Sequence, residues 1–234
     1  TILPLENLSP ILDRVSGVFY HYDSALSTEE FATMADEAIP LLNEASNQLN
    51  LNEQLFQKIK YVYDNRDKQG LNAVQKRVVE EFVERGAALP ADKKEELIKV
   101  NDELSKLFIQ YNKNLLNATN SFFITVYDKE DLSGLPESSI SQAAEEAKSR
   151  GLDGLWVFTL HGPSRLPVLQ NADNRGLREA IYKGYTNLAS HGEYNNFPVI
   201  EKIVKLRAEK AKIMGFDNFA QMMTSRVMAK TPEA

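Results

Sequence analysis

The chain has 234 residues, 43% of them apolar, and a formal net charge of −6, which suits one large domain or two small ones. The acidic balance excludes a general nucleic-acid binder, which needs a basic surface, while leaving room for a local basic groove. Cysteine is absent, which removes disulfides, thiolate catalysis and thiolate metal sites together. That absence fits a cytoplasmic protein and leaves the periplasm open, and no apolar run approaches the roughly 20 residues that span a bilayer.

A helical period runs through most of the sequence. Leu8, Ile11, Leu12, Val15, Phe19 and Tyr22 form a first stripe. Ser27 and Glu30 read as a capping box ahead of Phe31, Met34, Ala35, Ala38, Leu42, Ala45 and Leu49. Pro40 inside that run is expected to kink or split it. A third helix carries Leu55, Ile59 and Val62 before a loop at Gly70. A fourth spans about Asn72 to Arg85, with Val74, Val78 and Phe82 inward and Gly86 as its stop. The cleanest amphipathic segment follows, with Leu97, Val100, Leu104, Leu107, Phe108, Tyr111 and Leu115 at three- and four-residue steps.

The middle changes character. SFFITVY (121–127) and LWVFTL (155–160) are β-branched and aromatic and read as short strands. Between them Pro136 and Ser138 open a helix with Ile140, Ala143, Ala144 and Ala147, closed by Gly151. Either a parallel crossover unit or an antiparallel pair with a helix packed over it satisfies this spacing. Helical pattern resumes with Asp173 as a cap and Leu177, Ile181, Tyr185 and Leu188 inward. Another helix follows Asn196 and Pro198, carrying Ile200, Ile203, Val204, Arg207, Ala211 and Met214. A last one, at 217–228, is capped by Asp217 and carries Phe219, Ala220, Met223 and Val227. Thr231-Pro232-Glu233 then reads as a fresh helix start just before the sequence stops, and Thr1 is not methionine, so a longer parent protein is expected. The fold class is mainly α: a single multi-helix lobe over 1–234, with helical hairpins over 1–119, a small strand–helix–strand insertion over 120–161 and helices over 162–234.

The inventory for catalysis is close to empty. His21, His161 and His191 are too far apart for a helical metal pair, and none sits in H-E-x-x-H. The acid pairs Glu29-Glu30, Glu80-Glu81, Glu95-Glu96 and Glu145-Glu146 point about 100° apart on a helix and suit solvated faces. Neither a nucleophile elbow nor a phosphate-binding loop is present. The densest polar cluster is ADNRGLREAIYKGY. Arg175 and Arg178 there, with Arg165 upstream, are the candidates for lining a groove that receives a carboxylate or a peptide backbone. The alternative role for Arg178 is a tertiary clamp on Asp173 or Asp217.

Several blocks carry a family resemblance: ALPADKKEELIKVNDELSKL, DLSGLPESSISQAAEEAKSRGLDG leading into WVFTL, LPVLQNADNRGLREAIYKGY, IEKIVKLRAEKAKIMGFDNFAQ and MAKTPEA. In this order they resemble the thimet oligopeptidase, oligopeptidase A and peptidyl-dipeptidase family of zinc metallopeptidases. LDRVSGVFYHYDSA, NEQLFQKIKYVYDNRD and the ending lean toward the peptidyl-dipeptidase (dipeptidyl carboxypeptidase) branch. The resemblance implies a long, mostly helical parent whose two lobes enclose a channel for short unstructured peptides. One zinc, held by H-E-x-x-H and a later glutamate in the C-terminal half, would polarise the scissile carbonyl and activate water.

Nothing in this sequence matches that motif, so the resemblance assigns no catalytic and no metal residue here. It makes the chain a wall-forming part of the N-terminal half, inactive alone, whose partners are the missing catalytic region and peptide substrates, with neither nucleic acid nor membrane. The rival reading is a stand-alone α-helical interaction module. A lobe separated from its other half is expected to expose apolar surface, with Met222, Met223 and Met228 as candidates.

Overall fold

The computed structural model describes residues 9–26 and 28–234. Helices dominate them. In chain order they are α1 (Pro10–Leu26), α2 (Glu29–Asn50), α3 (Glu53–Asp64), α4 (Ala73–Phe82) with a π turn at Val83–Ala87, and α5 (Ala91–Ser121). The insertion consists of β1 (Phe123–Val126), a 3-10 turn (Lys129–Leu132), α6 (Glu137–Ser149) and β2 (Trp156–Thr159). Then come α7 (Gly162–Asn171), α8 (Arg175–Thr186), α9 (Phe197–Ile213) and α10 (Phe219–Thr224). Two compact units result, Thr1–Lys106 with Val204–Ala234, and Leu107–Ile203.

In the first unit α2, α3 and α4 each start on a side-chain cap that satisfies an otherwise orphaned amide. Leu8 and Ser27 lie outside the described residues; the cap seen on α2 is Thr28, whose hydroxyl accepts from the Phe31 amide at 3.2 Å. Asn52 caps α3, and Asn72 with Gln75 forms a complete capping box on α4. Helix α2 runs through Pro40 without a break, so the expected split does not occur. The inward face of α4 centres on Val79, which is buried, whereas Val74 is exposed. Leu97, Val100 and Leu104 of α5 join Phe56, Ile59 and Val79 among the buried side chains. Lys94 is buried too; its ammonium donates to Glu53 Oε2 at 2.6 Å and lies over the Phe56 ring. Ile11, Leu12, Val15 and Tyr22 of α1 are exposed, so most of that helix's apolar stripe faces solvent. Met222 is 2% exposed and belongs to the interior, which removes it from the surface candidates; Met223 and Met228 are exposed.

The second unit is built on the strand pair. β1 and β2 are antiparallel, with Ile124 opposite Phe158 and Val126 opposite Trp156. The crossover alternative is thereby excluded. Ser121 is still helical, so β1 starts two residues later than the apolar run suggests. Helix α6 packs on β2 through Ala143 and Ala147, small residues that permit a close approach. Phe158, Val168, Leu177 and Ile181, from β2, α7 and α8, fill the core with Val126, Leu132 and Leu135. Burying each large side chain of this set stabilises the unit by roughly 1.5–3 kcal/mol. A buried polar contact closes the other side: Asn114 donates to Asn196 Oδ1 at 2.9 Å, and Asn196 donates to the Tyr111 carbonyl at 3.0 Å.

The 3-10 turn meets the α7–α8 corner backbone to backbone, the Asp173 amide donating to the Ser133 carbonyl at 2.8 Å. Gly134, at φ +84°, makes this approach possible, because a Cβ there would lie 2.2 Å from the Asn171 carbonyl oxygen. Gly154 shares the φ of +84° but has open space around its missing Cβ. Gly154→Ala is therefore expected to cost only left-handed strain, about 1–2 kcal/mol. Gly134→Ala should cost clearly more, because backbone must also move. Urea-unfolding midpoints of the two variants provide the comparison, and equal losses would contradict the close-approach argument.

Candidate functional site

The site region is the corner where β2 feeds α7 and α7 turns into α8. Residues after β2 leave the sheet through Leu160 and His161, and the Ser164 hydroxyl accepts from the Thr159 amide at 2.9 Å. Pro163 sits in the first turn of α7, where its lost amide is harmless. Asn174 caps α8, its side-chain oxygen accepting from the Leu177 amide at 3.0 Å. The expected cap, Asp173, is displaced by one residue because its carboxylate accepts from the Ser133 hydroxyl at 2.7 Å. Asn174 also donates to Asp131 at 2.7 Å, a second tie between the corner and the 3-10 turn.

The three candidate arginines lie in different environments. Arg178 donates to the carbonyls of Ala172 and Asp173, the latter at 2.9 Å. It is a clamp, made on main-chain oxygens at the end of α7 rather than on a carboxylate. Arg175 is exposed on the first residue of α8. Arg165 is half-buried, with its guanidinium carbon 3.5 Å from the centre of the Tyr185 ring. Its Nε is buried and has no hydrogen-bond acceptor. Tyr185, assigned by periodicity to the inward face of α8, is instead 45% exposed beneath this guanidinium. Glu179 and Lys183 pair at 2.6 Å on the exposed side of α8, and that hydrogen bond holds the Glu179 carboxyl below its ordinary range.

The histidines take structural positions. His161 Nδ1 lies 3.2 Å from the Thr159 hydroxyl, and His191 Nδ1 lies 2.9 Å from the Ser190 hydroxyl. Among the described residues, no group of three or more His, Asp or Glu side chains is placed to hold a metal ion. The corner can bind and orient a ligand through cations and aromatic faces.

A second charged cluster, in the first unit, has no signature in the sequence because its members are scattered along it. Arg77 grips Glu84 with two bonds, at 2.9 and 3.0 Å, and Arg226 donates to the Glu84 carbonyl. Lys210 donates to Asn101 at 2.7 Å, and desolvation, with Arg226 second, pushes its ammonium below the ordinary 10.5.

Comparison with known families places residues 168–234 in a match to peptidase family M3. The family match is to the M3 peptidases. The chain is 35% identical to the probable cytosolic oligopeptidase A of Arabidopsis thaliana, over 98% of its own length and 35% of that relative's. It is 32% identical to Escherichia coli oligopeptidase A, over 98% of the chain and 35% of the relative. Against Escherichia coli dipeptidyl carboxypeptidase the identity is 33%, over 100% of the chain and 35% of the relative. The chain thus spans about a third of the length of these curated relatives. The near-equal identities draw the match at the level of the family rather than of a branch.

Lys210 supplies a pH test of the electrostatics. Its folded-state affinity for the proton is lower than in the unfolded chain, so protonated Lys210 penalises folding at neutral pH. The penalty fades as pH rises from the depressed value toward 10.5, where the unfolded chain also loses its proton. Lys210→Met should therefore melt above the native protein at pH 7, with the gap narrowing by pH 10. A gap independent of pH would contradict the assignment.

Proposed function

We propose that the chain is a non-catalytic helical lobe of a larger zinc-dependent peptidase of family M3. The observation that carries this reading is coverage: 98–100% of the chain aligns with oligopeptidases and a dipeptidyl carboxypeptidase, while covering only 35% of each. In this reading the two units form part of the wall of a peptide channel. The partner is the zinc-bearing region of the same protein, and the substrates are short unstructured peptides. The finer reading is the peptidyl-dipeptidase branch, which releases dipeptides from a free C-terminus. The blocks LDRVSGVFYHYDSA and NEQLFQKIKYVYDNRD support it. The name of the Arabidopsis relative supports residence in the cytoplasm.

The residues present do not fit a zinc site. The histidines bond to neighbouring hydroxyls or sit against an aromatic ring, and the described acids form no ligand group. No step of bond cleavage is therefore assigned to this chain. Its contribution is binding and orientation, which lowers the barrier by presenting the peptide in one geometry. Arg178 is committed to main-chain carbonyls, which leaves Arg165 and Arg175 as the cations of this wall open to a peptide.

The purified chain should not hydrolyse a quenched fluorogenic peptide, with or without added zinc. Hydrolysis that a chelator abolishes would overturn the division of labour proposed here.

A further inference from the structure

We propose that the outer edge of β1 is a self-association surface, on which a second copy of this chain lays its own β1 antiparallel. The two strand pairs then join into one four-stranded sheet. The inference is independent of the peptidase reading.

The edge is open because of how β1 and β2 pair. The Thr159 amide donates to the Ser164 hydroxyl at 2.9 Å, so it points away from β1. In an antiparallel ladder such outward-turned residues alternate with residues that exchange bonds. Phe123, opposite Thr159, and Thr125, two positions on, therefore turn their amides and carbonyls to the outer side of β1. Ile124 and Val126 make the bonds to Phe158 and Trp156. No backbone group among the described residues bonds to the four outward groups of Phe123 and Thr125. The other edge of the sheet is closed, because Ser164 takes the Thr159 amide and both Val157 and Phe158 are buried. An unpaired strand edge is a template for another strand, and the lysine or proline that blunts natural edges is absent from residues 121–127.

The pattern of β1 selects another copy of itself as that strand. Phe123-Ile124-Thr125-Val126-Tyr127 reads alike in both directions: aromatic, β-branched, threonine, β-branched, aromatic. A two-fold axis at Thr125 asks for this symmetry, because the same patch must complement itself. It sets the two Thr125 residues opposite each other and Phe123 of each copy against Tyr127 of the other, both favourable cross-strand pairs. Phe123 is 45% exposed and Tyr127 75% exposed, so each has surface to bury. Charge follows the same axis. Asp128 and Glu130 lie just past one end of β1. At the other end the Arg150 guanidinium carbon is 4.8 Å from the centre of the Phe123 ring, and Lys183 lines a cavity with Phe122. Antiparallel pairing brings the acidic end of each copy to the cationic end of the other. Arg150 and Lys183 also hold Glu146 and Glu179, one turn before them, so these charges set register more than affinity.

The test is sedimentation equilibrium of the chain over a concentration series, with thermal melts to show that each variant is folded. The native chain should be a mixture of monomer and dimer at high micromolar concentration. Thr125→Pro removes an outward amide and leaves the bonds of Ile124 and Val126 to β2 in place. It should weaken the dimer about tenfold or more, the scale of two lost hydrogen bonds between the copies. Tyr127→Ala, at an exposed position outside the strand, should weaken it severalfold and carries the test if Thr125→Pro does not fold. Val15→Ser, on the exposed stripe of α1, should leave the dimer unchanged. A chain that stays monomeric throughout the series would overturn the inference. So would a dimer that Thr125→Pro and Tyr127→Ala leave intact, or one that Val15→Ser weakens as much as they do. Association that continues past the dimer would also contradict it, because a two-fold pairing closes on itself.

Discussion

The core around Phe158 is the constraint on which the α7–α8 corner depends. Phe158 comes from the short β2, Val168 from α7, and Leu177 and Ile181 from α8, and all four are buried in one cluster. Their mutual packing sets the positions of α7 and α8, and the positions of those helices bring Arg165 over Tyr185. A guanidinium would not otherwise stay flat on a ring twenty residues away, because its long side chain loses several rotatable bonds of freedom on being fixed. The apolar core thus does the work of orientation that a catalytic site would ask of hydrogen bonds.

Polar contacts then pin the chain where the core cannot reach. Ser133, Asp131, Asp173 and Asn174 join the 3-10 turn to the α7–α8 corner with bonds of 2.7–2.8 Å. Arg178 covers the Ala172 and Asp173 carbonyls just past the end of α7. Of the three arginines in this part of the sequence, one is therefore spent on structure, one is exposed, and one is held half-buried without an anion. That asymmetry, rather than the number of cations, makes Arg165 the informative residue.

Much of the fold is legible in the sequence because most of its signals are local. Helical stripes, the helix start at Asn72, and the two short β-branched runs all involve residues within a few positions of each other. The misplacements share a cause: a choice made by distant residues. Asp173 and Asn174 are both competent caps, and Ser133, forty residues upstream, decides between them by engaging the aspartate. Asp217 and Asn218 pose the same choice, and the Asn218 side chain makes the cap. Strand direction was open because a connection of this length suits both arrangements; antiparallel pairing emerges only once Ile124 faces Phe158. Val74 and Val79 lie on different sides of α4, and only the packing of the unit shows which side is covered. For the candidate site, the sequence pointed to the arginines by composition. It carried no signal that Tyr185 would leave the core to lie under one of them.

We propose for this chain a binding and positioning role within a longer peptidase. The most direct measurement is the sequence of the source gene beyond the codon for Ala234. The account predicts an open frame that reaches an H-E-x-x-H helix and a later glutamate. A stop codon shortly after Ala234, with no such motif, would contradict it.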